Sequence, residues 1–102
     1  ANTMERREAK AMSQKRAVAI KAYRRLRDKA RVIRYRFQRL QKTLPAKAKM
    51  QLLRALEDLY KETLAEKAGS VGAEMSKKWT TLEDAIEEMY DEVDPPESED
   101  GS

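Results

Sequence analysis

The sequence predicts an all-α protein: a long N-terminal helix paired with a second helix in an antiparallel hairpin, then a short acidic third helix and a disordered acidic tail. Three observations predict it. Ala, Glu, Lys, Leu and Arg fill 57 of the 102 positions, and all are good helix formers. Residues 3–43 contain no Gly or Pro. Within that stretch the apolar residues Ala19, Tyr23, Leu26, Ala30, Ile33, Phe37, Leu40 and Leu44 alternate in steps of four and three, the spacing of a helix buried along one seam.

The first helix, about 40 residues long, spans roughly 60 Å at 1.5 Å per residue, more than a compact domain of this size can cover. Part of it is therefore expected to project or to pair with another chain. The seam weakens before Ala19, where the same register meets Arg16, Met12 and Ala9, so the first four turns are the expected arm. Val18, Ala22, Val32 and Tyr35 lie off the main seam and suggest a second apolar facet for another helix.

Pro45 disfavours helical geometry at Leu44 and suits the first turn of a new helix, which places a tight turn at Thr43–Pro45. The second helix is expected to run to about Ala68, with Met50, Leu53, Leu56, Leu59, Tyr60 and Leu64 on its buried face and Gly69 as a left-handed C-terminal cap. A short connection makes it antiparallel to the first. It should cover only the C-terminal half of the first helix, from near Lys21.

After a turn at Ser70–Gly72, a short helix over Ala73–Trp79 is expected, anchored by Trp79. Thr80 and Glu83 then fit a capping box for a last helix, about Leu82–Val93. Its stripe would be Leu82, Ile86, Met89, Tyr90 and Val93, and its outer face carboxylates. Residues 1–93 thus form one domain, with 1–18 as a projecting basic arm and 94–102 as an acidic disordered tail. Met4, Met12, Met50, Met75 and Met89 are spread over every segment and read as packing residues.

Residues 64–79, LAEKAGSVGAEMSKKW, partly resemble the helix-turn-helix of phage-type repressors through Ala65, Gly69 and Met75. The pattern departs at Val71, one place late, at Lys78, where the motif is apolar, and at Gly72 inside the supposed recognition helix. The segment is read instead as a helix cap followed by a loop.

Composition narrows the chemistry. With no Cys and no His, the chain lacks thiol nucleophiles, disulfides, imidazole acid–base groups and the common transition-metal ligands. No enzymatic signature, cofactor motif or small-molecule site is present, and carboxylates such as Glu83, Glu87 and Asp91 have only ordinary helical spacing. No apolar run reaches the roughly 20 residues of a membrane span, and residues 1–20 have no signal-peptide core. The expectation is a non-secreted, non-membrane protein, cytoplasmic or associated with a nucleoid or virion.

The charge is strongly asymmetric. Residues 1–49 carry 17 Lys or Arg against Glu5, Glu8 and Asp28, a net of +14, whereas residues 50–102 carry 5 basic and 15 acidic residues, a net of −10. Ten of the eleven Arg lie between Arg6 and Arg39. The planar guanidinium fork matches phosphate or carboxylate where Lys offers a point charge. So many cations within a Debye length of about 8 Å repel one another unless something anionic lies near.

Two partners satisfy that requirement, and they give two functions. The first is DNA or RNA: Arg16, Lys21, Arg24, Arg25, Arg27, Arg31 and Arg34 are the candidate phosphate contacts, along a cationic helix like the basic regions of zipper proteins. No Asn or Gln cluster accompanies them, so base reading is not expected. The second is another copy of the chain, associating basic face to acidic face as a virion, scaffold or adaptor subunit. Met12, Ala19, Tyr23, Trp79, Met89 and Tyr90 are the candidate oligomer or partner contacts. A weaker third possibility is a small regulator that binds a host protein through its acidic last helix.

Overall fold

In the computed structural model, which describes residues 3–70 and 72–96 and only the backbone of Gln41, the first helix α1 runs unbroken from Thr3 to Leu40. A 3-10 turn over Gln41–Thr43 leads to α2, Ala46–Ala68, and then to α3, Ala73–Val93. Val71 and the tail residues 97–102 lie outside the described residues.

The three helices make an up-down-up bundle with α1 longer than its partners. Leu26, Ala30, Ile33 and Phe37 of α1 are buried, flanked by the half-buried Ala19, Tyr23, Leu40 and Leu44. That is the four-and-three seam of the sequence. Residues 3–18 are all exposed. The radius of gyration is 18.2 Å, against about 13 Å for a compact chain of 100 residues. The 67 Å long axis reflects the projecting first turns of α1.

Pro45 stands one place ahead of α2 in extended geometry, and its carbonyl accepts the Lys49 N–H at 2.9 Å. The core face of α2 is Leu52, Leu56, Leu59 and Thr63, rotated from the expected one. Met50 is 55% exposed and Leu64 38%. A threonine takes the seam position because its hydroxyl donates to the Leu59 carbonyl at 2.8 Å, so Thr63 is buried with its polar atom satisfied.

The end of α2 also differs from expectation. Gly69 is not left-handed, with φ −90° and ψ 0°. Its N–H bonds the Ala65 carbonyl at 3.3 Å, and Ser70 closes on Lys67 at 3.1 Å. The positive φ falls instead at Gly72, φ 94° and ψ 147°, immediately before α3. A side chain there would meet no neighbouring atom, so only backbone strain opposes it. Gly72→Ala is expected to destabilise the fold by about 1–3 kcal/mol, readable as a lower urea midpoint with an unchanged m-value.

The third helix is one 21-residue element rather than a short helix plus a capped second one. Thr80 and Thr81 do not cap it. Their hydroxyls donate to the carbonyls of Ser76 and Lys77, each at 3.0 Å, the bonding of threonines inside a helix. Met75, Trp79, Leu82, Ile86, Met89 and Val93 are buried, again in steps of four and three. At its end Asp94 N–H bonds the Tyr90 carbonyl at 2.8 Å and its carboxylate pairs with Lys49 at 3.0 Å, so Asp94 belongs to the helix end rather than to a loose tail.

Pairs between Tyr60 and Glu87, Glu57 and Tyr90, and Lys49 and Asp94 run in opposite directions along α2 and α3, which are therefore antiparallel. That geometry, with a 21-residue α3, excludes the helix-turn-helix arrangement. Trp79 and Tyr23 join α3 to α1 edge to face, with ring centroids 5.5 Å apart, a favourable aromatic geometry. The expected second facet on α1 is not covered by a helix: Val18, Val32 and Tyr35 are 67%, 50% and 59% exposed, and only Ala22 is half-buried. Two of the five methionines, Met75 and Met89, are core residues, whereas Met4, Met12 and Met50 are exposed.

Candidate nucleic-acid interface

At 100° per residue, α1 directs Leu26, Ala30, Ile33 and Phe37 to one side and Lys21, Arg24, Arg31, Tyr35 and Arg39 to the opposite side. Exposure agrees, since all five of the latter are exposed. The α2 helix is met by Arg25 and Lys29, whose nitrogens lie 3.6 and 3.3 Å from Glu62 Oε2. The α3 helix is met by Tyr23. The face carrying Lys21, Arg24, Arg31 and Arg39 is covered by neither.

The seven candidate cations therefore divide. Lys21 and Arg24 are exposed with no ion pair among the described residues, and Arg31 joins them on the outer face. Arg31 and Arg27 approach the same Asp28 oxygen, at 3.9 and 3.8 Å. These distances are too long for hydrogen bonds, and exposed contacts of this kind contribute little. Arg34 is exposed and unpaired among the described residues, but lies about 80° round the helix from Arg24.

Arg25 is turned toward Glu62, and Arg16 toward Glu74 of α3 at 3.3 Å. Arg27 is half-buried, with its guanidinium 5.8 Å from the centre of the Tyr23 ring and its Nε buried without a hydrogen-bond partner among the described residues. Its stem serves the α1–α3 junction.

Arg39, not among the candidates, shares the outer face and rests its guanidinium 5.8 Å from the centre of the exposed Tyr35 ring. It lies 18 residues, five helical turns, from Lys21. That interval was available as a signal in the sequence.

The candidate partner contacts also divide. Trp79 and Met89 are 1% and 2% exposed and belong to the subunit's own core, not to a surface. Ala19 and Tyr23 are half-buried against that core. Met12 is 64% exposed on the arm. Tyr90 lines an outer groove between α2 and α3.

That groove is the acidic counterpart of the α1 face. Leu56 and Ile86 form its floor, Tyr60 and Tyr90 its walls, and Glu57, Glu87 and Asp91 its rim, around a volume of about 380 Å³. Tyr60 donates to Glu87 Oε1 at 2.8 Å and lies 3.4 Å from Glu83 Oε1, while Lys67 donates to Glu83 Oε2 at 2.9 Å. Tyr90 donates to Glu57 Oε1 at 3.2 Å. On the outside of α3, Asp84, Glu88, Asp91 and Glu92 are exposed, with no ion pair among the described residues. Most of the acidic pole is therefore not spent on the guanidinium groups of α1.

The hydrogen bond to Glu87, then desolvation, then the charges of Glu87 and Glu83 push Tyr60 from its ordinary 10.0 to about 12. Tyr90 is raised as well, first by its bond to Glu57. Because the folded value lies above the unfolded one, the stabilisation from Tyr60 is complete below pH 10 and disappears as pH rises toward 12. A tyrosinate absorbance titration of the folded chain is expected to show a step near pH 12 that Tyr60→Phe removes. Complete ionisation well before that step would show that the contact does not form.

No described helix is long and apolar enough to cross a membrane. Among the described residues, no group of three or more His, Cys, Asp or Glu is placed to hold a metal ion. Comparison with known protein families, curated proteins and solved structures finds no match to this chain.

Proposed function

We propose that this chain is a non-enzymatic nucleic-acid-binding helical module that holds phosphates along the outer face of α1. The observation that carries this reading is the position of Lys21, Arg24, Arg31 and Arg39. They lie on the one side of α1 that the rest of the bundle leaves open, over about 27 Å of helix at 1.5 Å per residue. Asp28 is the single carboxylate among them. Solubility alone does not require such a one-sided field, and a polyanion with regularly spaced phosphates complements it.

Guanidinium and ammonium groups on a convex helix face bind backbone phosphates without reading base edges. The reading therefore favours binding that tolerates any sequence. Fluorescence anisotropy with labelled duplexes of unrelated sequence, at low salt, tests it. Saturable binding of similar strength to each duplex is expected, and no binding to any of them would remove the proposal.

A further inference from the structure

We propose that the groove between α2 and α3 receives the basic N-terminal arm of a second copy of this chain. The inference stands apart from nucleic-acid binding, because it uses the arm and the groove and leaves the outer face of α1 free.

Residues 3–15 form about three and a half helical turns, about 20 Å long, and are exposed throughout. Arg16 meets Glu74 near the start of α3, and everything before that point projects. Met12 lies one heptad before Ala19, on the seam side of α1, and is 64% exposed. The projecting turns carry Arg6, Arg7, Lys10 and Lys15 against Glu5 and Glu8, a net of +2. An exposed apolar side chain on a cationic helix is stabilised by an apolar groove with an anionic rim.

Charge selects among the surfaces available. Two arms packed on each other would bring together two cationic helices, which repel. The groove between α1 and α2 is rimmed by Arg25, Lys29 and Arg36 as well as by Asp28, Asp58 and Glu62, so it offers no net attraction. The α2–α3 groove is rimmed by Glu57, Glu87 and Asp91 with only Lys61 opposing them, and α3 adds the exposed Asp84 and Glu88 beside it. Its aromatic walls are already held by the Tyr60–Glu87 and Tyr90–Glu57 hydrogen bonds, so little ordering is required on docking. Arm into groove is a heterologous contact, which propagates as a chain or closes as a ring.

Sedimentation of the full-length chain tests this. At low salt the mass should rise with concentration above the 11.8 kDa of one chain, and return to it as salt is added. Reversing the groove with Glu87→Lys and Asp91→Lys, or the arm with Arg7→Glu and Lys10→Glu, should leave each variant monomeric, with helicity by circular dichroism as the folding control. Mixing the two variants should restore association, since each supplies the native half that the other lacks. Met12→Gln, which alters no charge, should weaken association about tenfold through lost apolar burial. A wild-type chain that stays monomeric throughout would overturn the proposal. So would a folded groove variant that keeps wild-type mass, a mixture that stays monomeric, or a Met12→Gln chain that associates as the wild type does.

Discussion

Replacing Trp79 by alanine is expected to have the largest effect on folding of any single substitution in the chain. Trp79 is 1% exposed, sits at the α3 seam position nearest the junction with α1, and meets the Tyr23 ring edge to face. Truncating a buried tryptophan loses transfer free energy and leaves a cavity that the helices close only in part, a cost of about 3–5 kcal/mol. Few small domains hold much more than that in reserve. The expected fall in Tm is roughly 15–35 °C, read by far-ultraviolet circular dichroism with heating. A fall of only a few degrees would mean that α3 does not depend on this anchor. Tyr23→Leu should cost much less, because Tyr23 is only half-buried.

The second large effect is on binding. Converting Lys21, Arg24, Arg31 and Arg39 together to glutamine keeps helix-forming residues at exposed positions, so the bundle should remain intact. If each cation neutralises one phosphate, each releases about 0.9 counterions on B-DNA, and losing four should weaken binding on the order of 10³-fold near 0.1 M salt. The companion variant is Arg16→Gln with Arg25→Gln. Those two guanidinium groups are directed at Glu74 and Glu62, so it should lose far less. Equal losses in the two variants would show that the outer face is not the binding surface.

Much of the fold is legible in the sequence because the seam of α1 is uninterrupted. Steps of four and three from Ala19 to Leu44 locate the buried side, and the break at Thr43–Pro45 locates the turn. Two features of the structure depart from the sequence pattern because a threonine hydroxyl can bond back to its own helix. Thr63 takes a core position that hydropathy assigns to its neighbour Leu64. Thr80, like Thr81, bonds back one turn inside α3, where the spacing of Thr80 to Glu83 suggests a helix start.

The site is less legible than the fold. Sequence shows that the cations cluster, but one residue is 100° of rotation on a helix. Arg24 and Arg25 therefore fall on opposite sides of the decision, one open to solvent and one turned toward Glu62. That division depends on where α2 lies against α1, which no spacing within α1 records. Trp79 and Met89 show the same limit from the other side. Large apolar residues in an acidic segment look available to a partner until the bundle is seen to use them.

The most direct measurement of the phosphate-binding role is the salt dependence of duplex DNA affinity. Between 50 and 200 mM monovalent salt, the logarithm of the association constant should fall linearly with the logarithm of salt concentration. For the four outer cations the slope should be about −3 to −4, shrinking toward zero when they are neutralised. Binding that is absent at the lower salt concentration, or that does not change across the range, would contradict a function built on the open cationic face of α1.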